Sequence, residues 1–376
     1  MTPRLLLVGG GHAHLFVLEA LAQGGHAAEV TLVSPSRRQT YSGMVPGVIS
    51  GRYAVPEALI DLEPLAARAN VTLRLGSVSG LDPDAQVATL ADGTEVPFDL
   101  CSVAVGSNPA GLEAPGVATR ALVAKPIDSA LAIVPALGDA VTAGAARVVI
   151  VGGGAAGVEL ACAAAARLRR LGVTRPDVAL LTNQPTLIVD MPGKLGYRAA
   201  AMCHRVGVSV RYRATVVSVD GSGVQLQEGG RLAADVLIWA AGAAAVPWLS
   251  QSGLTCDRAG FPVVDAMLRS VSHPHLFVAG DAATLREHPR TPKSGVMAVR
   301  EGPILAGNLR RVLAGAVPDR AFTPQARTLA LLASGDGEAL LSHGAIVTEG
   351  RAEMWLKDVI DRRFIRRFTV AGQGAG

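Results

Sequence analysis

Two stretches of the chain follow one plan. The first, RLLLVGGGHAHLFVLEAL, runs from Arg4 to Leu21; the second, RVVIVGGGAAGVELACAA, runs from Arg147 to Ala164. Each reads as a short apolar strand, a glycine cluster and a helix. That order presents a helix N-terminus, with its free N–H groups and positive dipole end, to a pyrophosphate. Glycines turn the backbone tightly and let the phosphate come close without meeting a side chain. The second copy has Gly152, Gly154 and Gly157 at the positions such a cradle requires. The first has Gly9 and Gly11 but carries His14 where the third glycine belongs. One such cluster is a weak signal. Two, each between a strand and a helix, restrict the chain to an α/β fold with two nucleotide-binding units.

The surrounding pattern repeats as well. EVTLVS (Glu29 to Ser34) and DVALLT (Asp177 to Thr182) read as second strands, so each copy forms a βαβ unit with parallel strands. In the first copy, NVTLRLGSVSGLDPDAQVATLADGTEVPFDLCSVAV then alternates apolar and polar residues, with turn signals at Asp82-Pro83 and Asp92-Gly93. An antiparallel meander is expected there, returning to a buried strand from Leu100 to Val105. A second meander follows the second copy. The repeat of roughly 140 residues is far longer than a solenoid period. After it come HPHLFVAGDAATL, a helical stretch GVMAVREGPILAGNLRRVLAG, a hairpin-like segment TLALLASGDGEALLSHGAIVTEG and a basic tail helix.

A chain of 376 residues, 49% hydrophobic and only 18% charged, can bury a large core. Residues 351–368 carry six Lys/Arg against three Asp/Glu, so most of the net charge of +4 lies in that tail. This argues against a nucleic-acid surface and for one local basic patch. Cys101, Cys162, Cys203 and Cys256 are too far apart in sequence for a redox or zinc motif, and no metal site is expected. No secretion signal or membrane span is read, which favours a cytoplasmic protein, either soluble or peripheral on the inner membrane face.

His14 reads more readily as a hydrogen-bonded core histidine than as a ligand to cofactor; His12 and His14 at a helix start both favour the neutral imidazole. Dinucleotide sites usually place an acid after the second strand to hold a ribose hydroxyl. Ser34 and Thr182 stand there instead, so preference for NADH or NADPH is not legible. Arg37 and Arg38 are either within reach of an adenosine phosphate or simply solvated.

With these residues in view, the chain resembles the two-dinucleotide-domain flavoproteins, the pyridine nucleotide–disulfide oxidoreductase superfamily. VAVGSNP (Val103 to Pro109) and WAAGAAAVP (Trp239 to Pro247) are similar to its two linking signatures, and VAGDAA (Val278 to Ala283) to its flavin ribityl motif. Within it, GGGHAHLFVLE, SPSRRQTYSGMVPGVISGRY and LKDVIDRRFIRRF look like the flavoprotein domain fused to selenide, water dikinase. Type II NADH dehydrogenases and sulfide:quinone oxidoreductases are related. In that group a histidine-bearing first cradle accompanies a serine after the second strand.

The resemblance implies two Rossmann-like domains of three-layer ββα architecture and a small α+β C-terminal segment. An FAD domain is expected over 1–113 and 251–318, an NAD(P) domain over 114–250, and a hairpin with a basic helix over 319–376. Flavin contacts are expected from Gly9, Gly10, Gly11, His12, Ala13, His14, Ser34, Arg37, Tyr41, Pro46, Val78, Ala104, Gly106, Gly280, Asp281, Lys293 and Gly295. Nicotinamide-nucleotide contacts are expected from Gly152, Gly154, Gly157, Thr182, Ala241 and Gly242, with Glu159 near the nicotinamide ribose as the catalytic candidate.

The implied activity is hydride transfer from NAD(P)H to FAD and onward to an unidentified quinone or small-molecule acceptor. Val296 and Arg300 stand where the type II enzymes have glutamines near the quinone. Two rivals are oxidation of a sulfur or selenium compound with a vestigial second site, and a non-enzymatic flavin-bound partner or sensor. Leu356, Ile360, Phe364 and Phe368 recur every fourth residue, so the tail helix is expected either on an anionic membrane or docked on the flavin domain or a dimer partner.

Overall fold

The computed structural model describes residues 2–191 and 193–370. Residues 371–376 of the expected C-terminal unit, and Met1 and Pro192 of the other two, lie outside them. The chain opens with β1 (Arg4–Val8), α1 (His12–Gly24) and β2 (Glu29–Ser34), then the short α2 (Val45–Ser50). β3 (Thr72–Leu75) and β4 (Leu100–Val103) follow, separated by an antiparallel meander of Val78–Asp82, Val87–Leu90 and Glu95–Pro97. The second copy supplies β5 (Arg147–Val151), α3 (Ala155–Arg170), β6 (Asp177–Leu181), β7 (Val208–Arg211) and β8 (Val236–Trp239). β9 (Leu276–Val278) and α4 (Gly295–Leu313) come next. β10 (Ala330–Ala333), β11 (Ala339–His343), β12 (Ile346–Gly350) and α5 (Arg351–Phe368) close the described chain.

Two parallel five-stranded sheets form the frame. The first runs β9-β4-β1-β2-β3, so a strand from beyond the second copy completes it. The second runs from Leu122–Val123 through β8, β5 and β6 to β7. Two departures from the sequence reading concern strand pairing. TLRL, expected in the first meander, is a parallel edge strand beside β2, because alternation describes a half-covered parallel edge as well as a hairpin strand. The C-terminal segment expected as a hairpin is a three-stranded meander, β10-β11-β12.

Burial explains why the central strands hold. Leu5, Leu6, Leu7 and Val8 are each at most 1% exposed, and each such side chain contributes about 1.5–3 kcal/mol by leaving water. α1 packs against α4 at a point where a Cβ on Gly302 would lie 2.3 Å from the Phe16 ring, so only glycine admits the contact. Among the described residues no helix is long and apolar enough to cross a membrane.

Candidate active site

Both cradles lie beyond the carboxyl ends of parallel strands, where α/β sheets place ligands. In register, Val8 is beside Val33 and Val151 beside Leu181, so the glycines leave β1 and β5 at the sheet edge together with Ser34 and Thr182. Gly9 and Gly152 turn at φ +89° and +126°, and each N–H bonds the neighbouring strand's carbonyl at 2.8 Å. A Cβ on Gly11 would lie 2.2 Å from the Ala104 carbonyl oxygen, and one on Gly157 1.8 Å from that of Gly152. Gly154 differs: its own helix and chain neighbours aside, no atom of the described residues lies within 4 Å of where its Cβ would stand, so packing does not require glycine there. Gly10 and Gly153 face the hydroxyls of Ser34 and Thr182. Those hydroxyls are engaged in the next turn, Ser34 donating to the Ser36 carbonyl at 2.8 Å and Thr182 accepting from the Gln184 N–H at 3.2 Å.

His14 is fully buried and its ring is used on both sides. Nδ1 lies 2.5 Å from the Gly9 carbonyl oxygen and Nε2 2.9 Å from the Ser102 hydroxyl. A carbonyl only accepts, so Nδ1 carries the proton and Nε2 accepts from Ser102. Burial lowers the pKa of His14 to about 4, which keeps it neutral. It is a structural residue, and the expected cofactor contact from its ring is not available. His12 sits beside Ser42, Tyr41 and Phe364, and burial lowers its pKa also to about 4. Ala13 is buried in the core behind it.

Asp281 lies just past β9, on the same sheet end as the first cradle. Its Oδ2 accepts from Lys125 Nζ at 2.5 Å, while Oδ1 is buried with no partner. An orphaned buried carboxylate oxygen is costly and fits a ligand hydroxyl. Lys125 also donates to the Ser107 hydroxyl at 3.0 Å. Behind the motif, the Gly280 N–H donates to Glu301 Oε2 at 2.5 Å; burial raises the Glu301 pKa to about 7. Lys293 donates to the Ala283 carbonyl and to the Thr284 hydroxyl, and lies 4.0 Å from the Phe261 ring centroid. Burial lowers its pKa to about 8. Its ammonium is therefore folded back onto the loop. Gly295 opens α4, with the Ser42 hydroxyl against it.

Glu159, one turn into α3, meets the C-terminal meander: its Oε1 accepts the Ala333 N–H at 2.9 Å. Burial raises its pKa, against the pull of Lys357. Lys357, next to Leu356 of the tail stripe, is buried, donating to the Gly43 carbonyl at 2.8 Å and to Asp361 at 3.0 Å. Burial works to lower the Lys357 pKa, but Glu159 and Asp361 outweigh it and raise it. Tyr41 donates to Asp361 at 3.2 Å and stacks on Phe364 with centroids 4.3 Å apart. α5 is thus docked on the side of the first cradle through Phe364 and Phe368, which also meet Phe16.

The remaining candidates spread around these centres. Pro46 is buried at the start of α2, and Val78 begins the first meander against the core. Gly106 follows β4, Ala241 and Gly242 follow β8, and the Ala241 N–H lies beside Gly152. Arg37 is exposed and paired with Glu63 at 3.3 Å. Cys101, Cys162 and Cys203 are buried, and burial raises the Cys101 thiol pKa, so the thiols are not set for nucleophilic work. Lys125 and Glu301 went unread in the sequence. Lys125 stands 156 residues from Asp281, and only the fold joins them.

Two strand-ended cradles, one beside an orphaned aspartate, define an enzyme scaffold for two dinucleotides. The chain belongs to the pyridine nucleotide-disulphide oxidoreductase family, which matches residues 3–302. An NADH dehydrogenase-like protein of Mycobacterium tuberculosis is 31% identical over 303 residues, covering 75% of this chain and 73% of that one. The demethylphylloquinone reductase of Synechocystis is 26% identical over 375 residues, covering 95% and 91%. The NDH2 structure of Plasmodium falciparum, solved with NADH, superposes with a TM-score of 0.83 at 15% identity over 98% of this chain and 97% of that one. The protein is an oxidoreductase, with FAD and NAD(P)H as its cofactors.

Proposed function

We propose that the first cradle holds FAD and the second NAD(P)H, and that the acceptor is a quinone or another small molecule. The observation that carries the assignment is the orphaned Oδ1 of Asp281, the one buried carboxylate oxygen without a partner among the described residues, where a ribityl chain would run. Gly9, Gly10 and Gly11 would take the FAD pyrophosphate, with Ala104 and Gly106 lining its course. Gly154, with open space before it, would take that of the nicotinamide nucleotide, beside Thr182, Ala241 and Gly242. Bound there, FAD supplies the hydride acceptor and the relay to the second substrate.

The chain's own contribution is positioning and charge. Lys125 fixes Asp281 so that one oxygen faces the ligand. Tyr41 and Phe364 form a stacked aromatic pair beside His12. Glu159 is held by Ala333 at the joint of the second cradle and the C-terminal meander, close enough to Lys357 to exchange charge support with it. Oxidation of a sulfur compound through a protein thiol is disfavoured, since three of the four cysteines are buried in the two cores.

The visible spectrum of the purified protein under anaerobic conditions, before and after NADH and then NADPH, tests the reading. Rapid bleaching of the flavin bands is expected and identifies the nucleotide. Flavin that stays oxidised with both would overturn it.

For the tail, we propose a peripheral role for the outward face of α5. Trp355, Val359 and Ile360 are exposed there beside Arg363 and Arg366, a composition suited to an anionic bilayer surface. Flotation with anionic vesicles should be lost in Trp355→Ser/Val359→Ser; equal flotation of that variant would remove the idea.

A further inference from the structure

A cavity of about 270 Å³ lies away from both cradles, between α2, the end of α3 and the turn joining β10 to β11. It is at the small end of ligand pockets and too small for a dinucleotide. Ser50, Arg52, Arg170 and Met354 line it, with Ala333 and the turn 335–337.

Its charge is unusual. Basic residues in the last turn of a helix are ordinary, since they answer the negative dipole end. Arg169 fits that account, reaching the Val206 carbonyl at 2.6 Å. Arg167 and Arg170 do not. Both guanidinium groups cross to Gly51, where a Cβ would lie 3.1 Å from Arg167 Nη1 and 3.3 Å from Arg170 Nη1. Arg170 donates to the Gly51 carbonyl at 2.6 Å. Arg167 Nε is buried with no partner. Among the described residues neither side chain meets a carboxylate within 4.0 Å, although each is a full positive charge. Arg52 adds a third charge, and its own partner, Asp358, stands 3.9 Å away. The one carboxylate in the wall, Asp336, is already held by Arg205 and Ser334.

Two converging guanidinium groups without a counter-charge repel each other, and an anion between them removes that cost. We propose that this cavity is a phosphate-binding site, held by Arg52 and Arg170 of its lining with Arg167 behind them at Gly51, for a phosphate monoester or the phosphate of a lipid headgroup. The Ser50 hydroxyl, now donating to the Gly47 carbonyl at 3.0 Å, stands in the wall as a further donor. Such an occupant would tie together α2, α3 and the β10–β11 turn. Ala333 belongs to that wall, and its N–H holds Glu159, so the site has a mechanical link to the second cradle. The assignment itself does not depend on which cofactor either cradle takes.

The test uses the flavin-loaded protein and the variants Arg170→Gln and Arg167→Gln/Arg170→Gln. Calorimetric titration with inorganic phosphate and with glycerol 3-phosphate, at ionic strength fixed with chloride, is run beside flotation with phosphatidylcholine vesicles with and without phosphatidic acid. Saturable phosphate binding, weakened at least tenfold in the double variant, is expected if the source is a soluble phosphate. Flotation only with phosphatidic acid, lost in the double variant, would support the site and name a lipid as its source. Phosphate binding unchanged in the double variant, or vesicle binding unchanged by it in a Trp355→Ser/Val359→Ser background, would place the anion elsewhere and overturn the proposal. So would no binding of any of these probes beyond the chloride control. Melting temperatures of the variants, read alongside, separate loss of the site from loss of the fold.

Discussion

His14 joins two strands through one ring: Nδ1–H donates to the Gly9 carbonyl at 2.5 Å, and Nε2 accepts from the Ser102 hydroxyl at 2.9 Å. In the second cradle the matching carbonyl, that of Gly152, stands so close to Gly157 that no Cβ fits. The same carbonyl position therefore either excludes a side chain or binds one. His14→Gly restores the glycine pattern, yet it empties a buried site and strands the Gly9 carbonyl and the Ser102 hydroxyl. A loss of about 2–4 kcal/mol in urea unfolding is expected. A variant as stable as the parent would mean the ring bonds carry nothing.

Glu301 gives the fold a pH dependence of known sign. Its pKa is raised to about 7 by burial, above the ordinary carboxylate value of 4.5, so the native state holds a proton that the unfolded chain releases between these values. Stability from this group is full below pH 4.5 and is lost as pH rises through 7, by about 3 kcal/mol in all. Glu301→Gln keeps an oxygen for the Gly280 N–H and removes the titration. Melting curves from pH 5 to 8 should show the parent losing more stability than the variant. Parallel curves would put the carboxylate in a solvated setting. His12 and His14, lowered to about 4, act in the opposite sense, costing stability as pH falls from 6.5 toward 4, and both proteins share that loss.

What the sequence made legible follows from the range of the forces involved. β1 and β5 are local apolar runs closed by glycine, so their ends are right to a residue or so. His14 was read as a core residue because a histidine at a packing position has few other uses. TLRL was misassigned because β3 is paired with β2 across some forty residues, and alternation carries no record of the partner. The place of Lys357 was not legible for the same reason. Its helix gave it a basic label, while its acceptors are Asp361 one turn on and the Gly43 carbonyl 314 residues back. The Asp281 environment was half legible: the motif marked the aspartate, but Lys125 and Glu301 reach it only through the assembled sheet.

The Lys357–Asp361 pair is a buried ion pair, with side chains 8% and 5% exposed. Breaking one is costly because the remaining charge has no water to turn to. Lys357→Met should cost about 3–5 kcal/mol. Lys357→Met/Asp361→Leu removes both charges and should regain most of that loss, with the orphaned Tyr41 hydroxyl and Gly43 carbonyl as the residue of the cost. Chemical denaturation of the two variants decides it. Equal losses in both would mean that packing, not charge, holds α5 at this point.

Gly154 and Gly157 differ by three positions and should fail differently. At Gly157 a Cβ would stand 1.8 Å from the Gly152 carbonyl oxygen, so Gly157→Ala must push α3 away from β5 and lower the melting temperature. At Gly154 the φ of −75° suits any residue and nothing lies within 4 Å of an added Cβ. Gly154→Val should therefore melt with the parent and bind flavin as well, because it touches only the second cradle. Its side chain would occupy the space the pyrophosphate needs, and KM for the nicotinamide nucleotide should rise at least about tenfold, a loss of about 1.4 kcal/mol. Steady-state kinetics with a dye acceptor, beside the melting curve, separates the two. An unchanged KM in Gly154→Val would show that the nucleotide does not pass over the end of α3, and the roles of the two cradles would have to be assigned again.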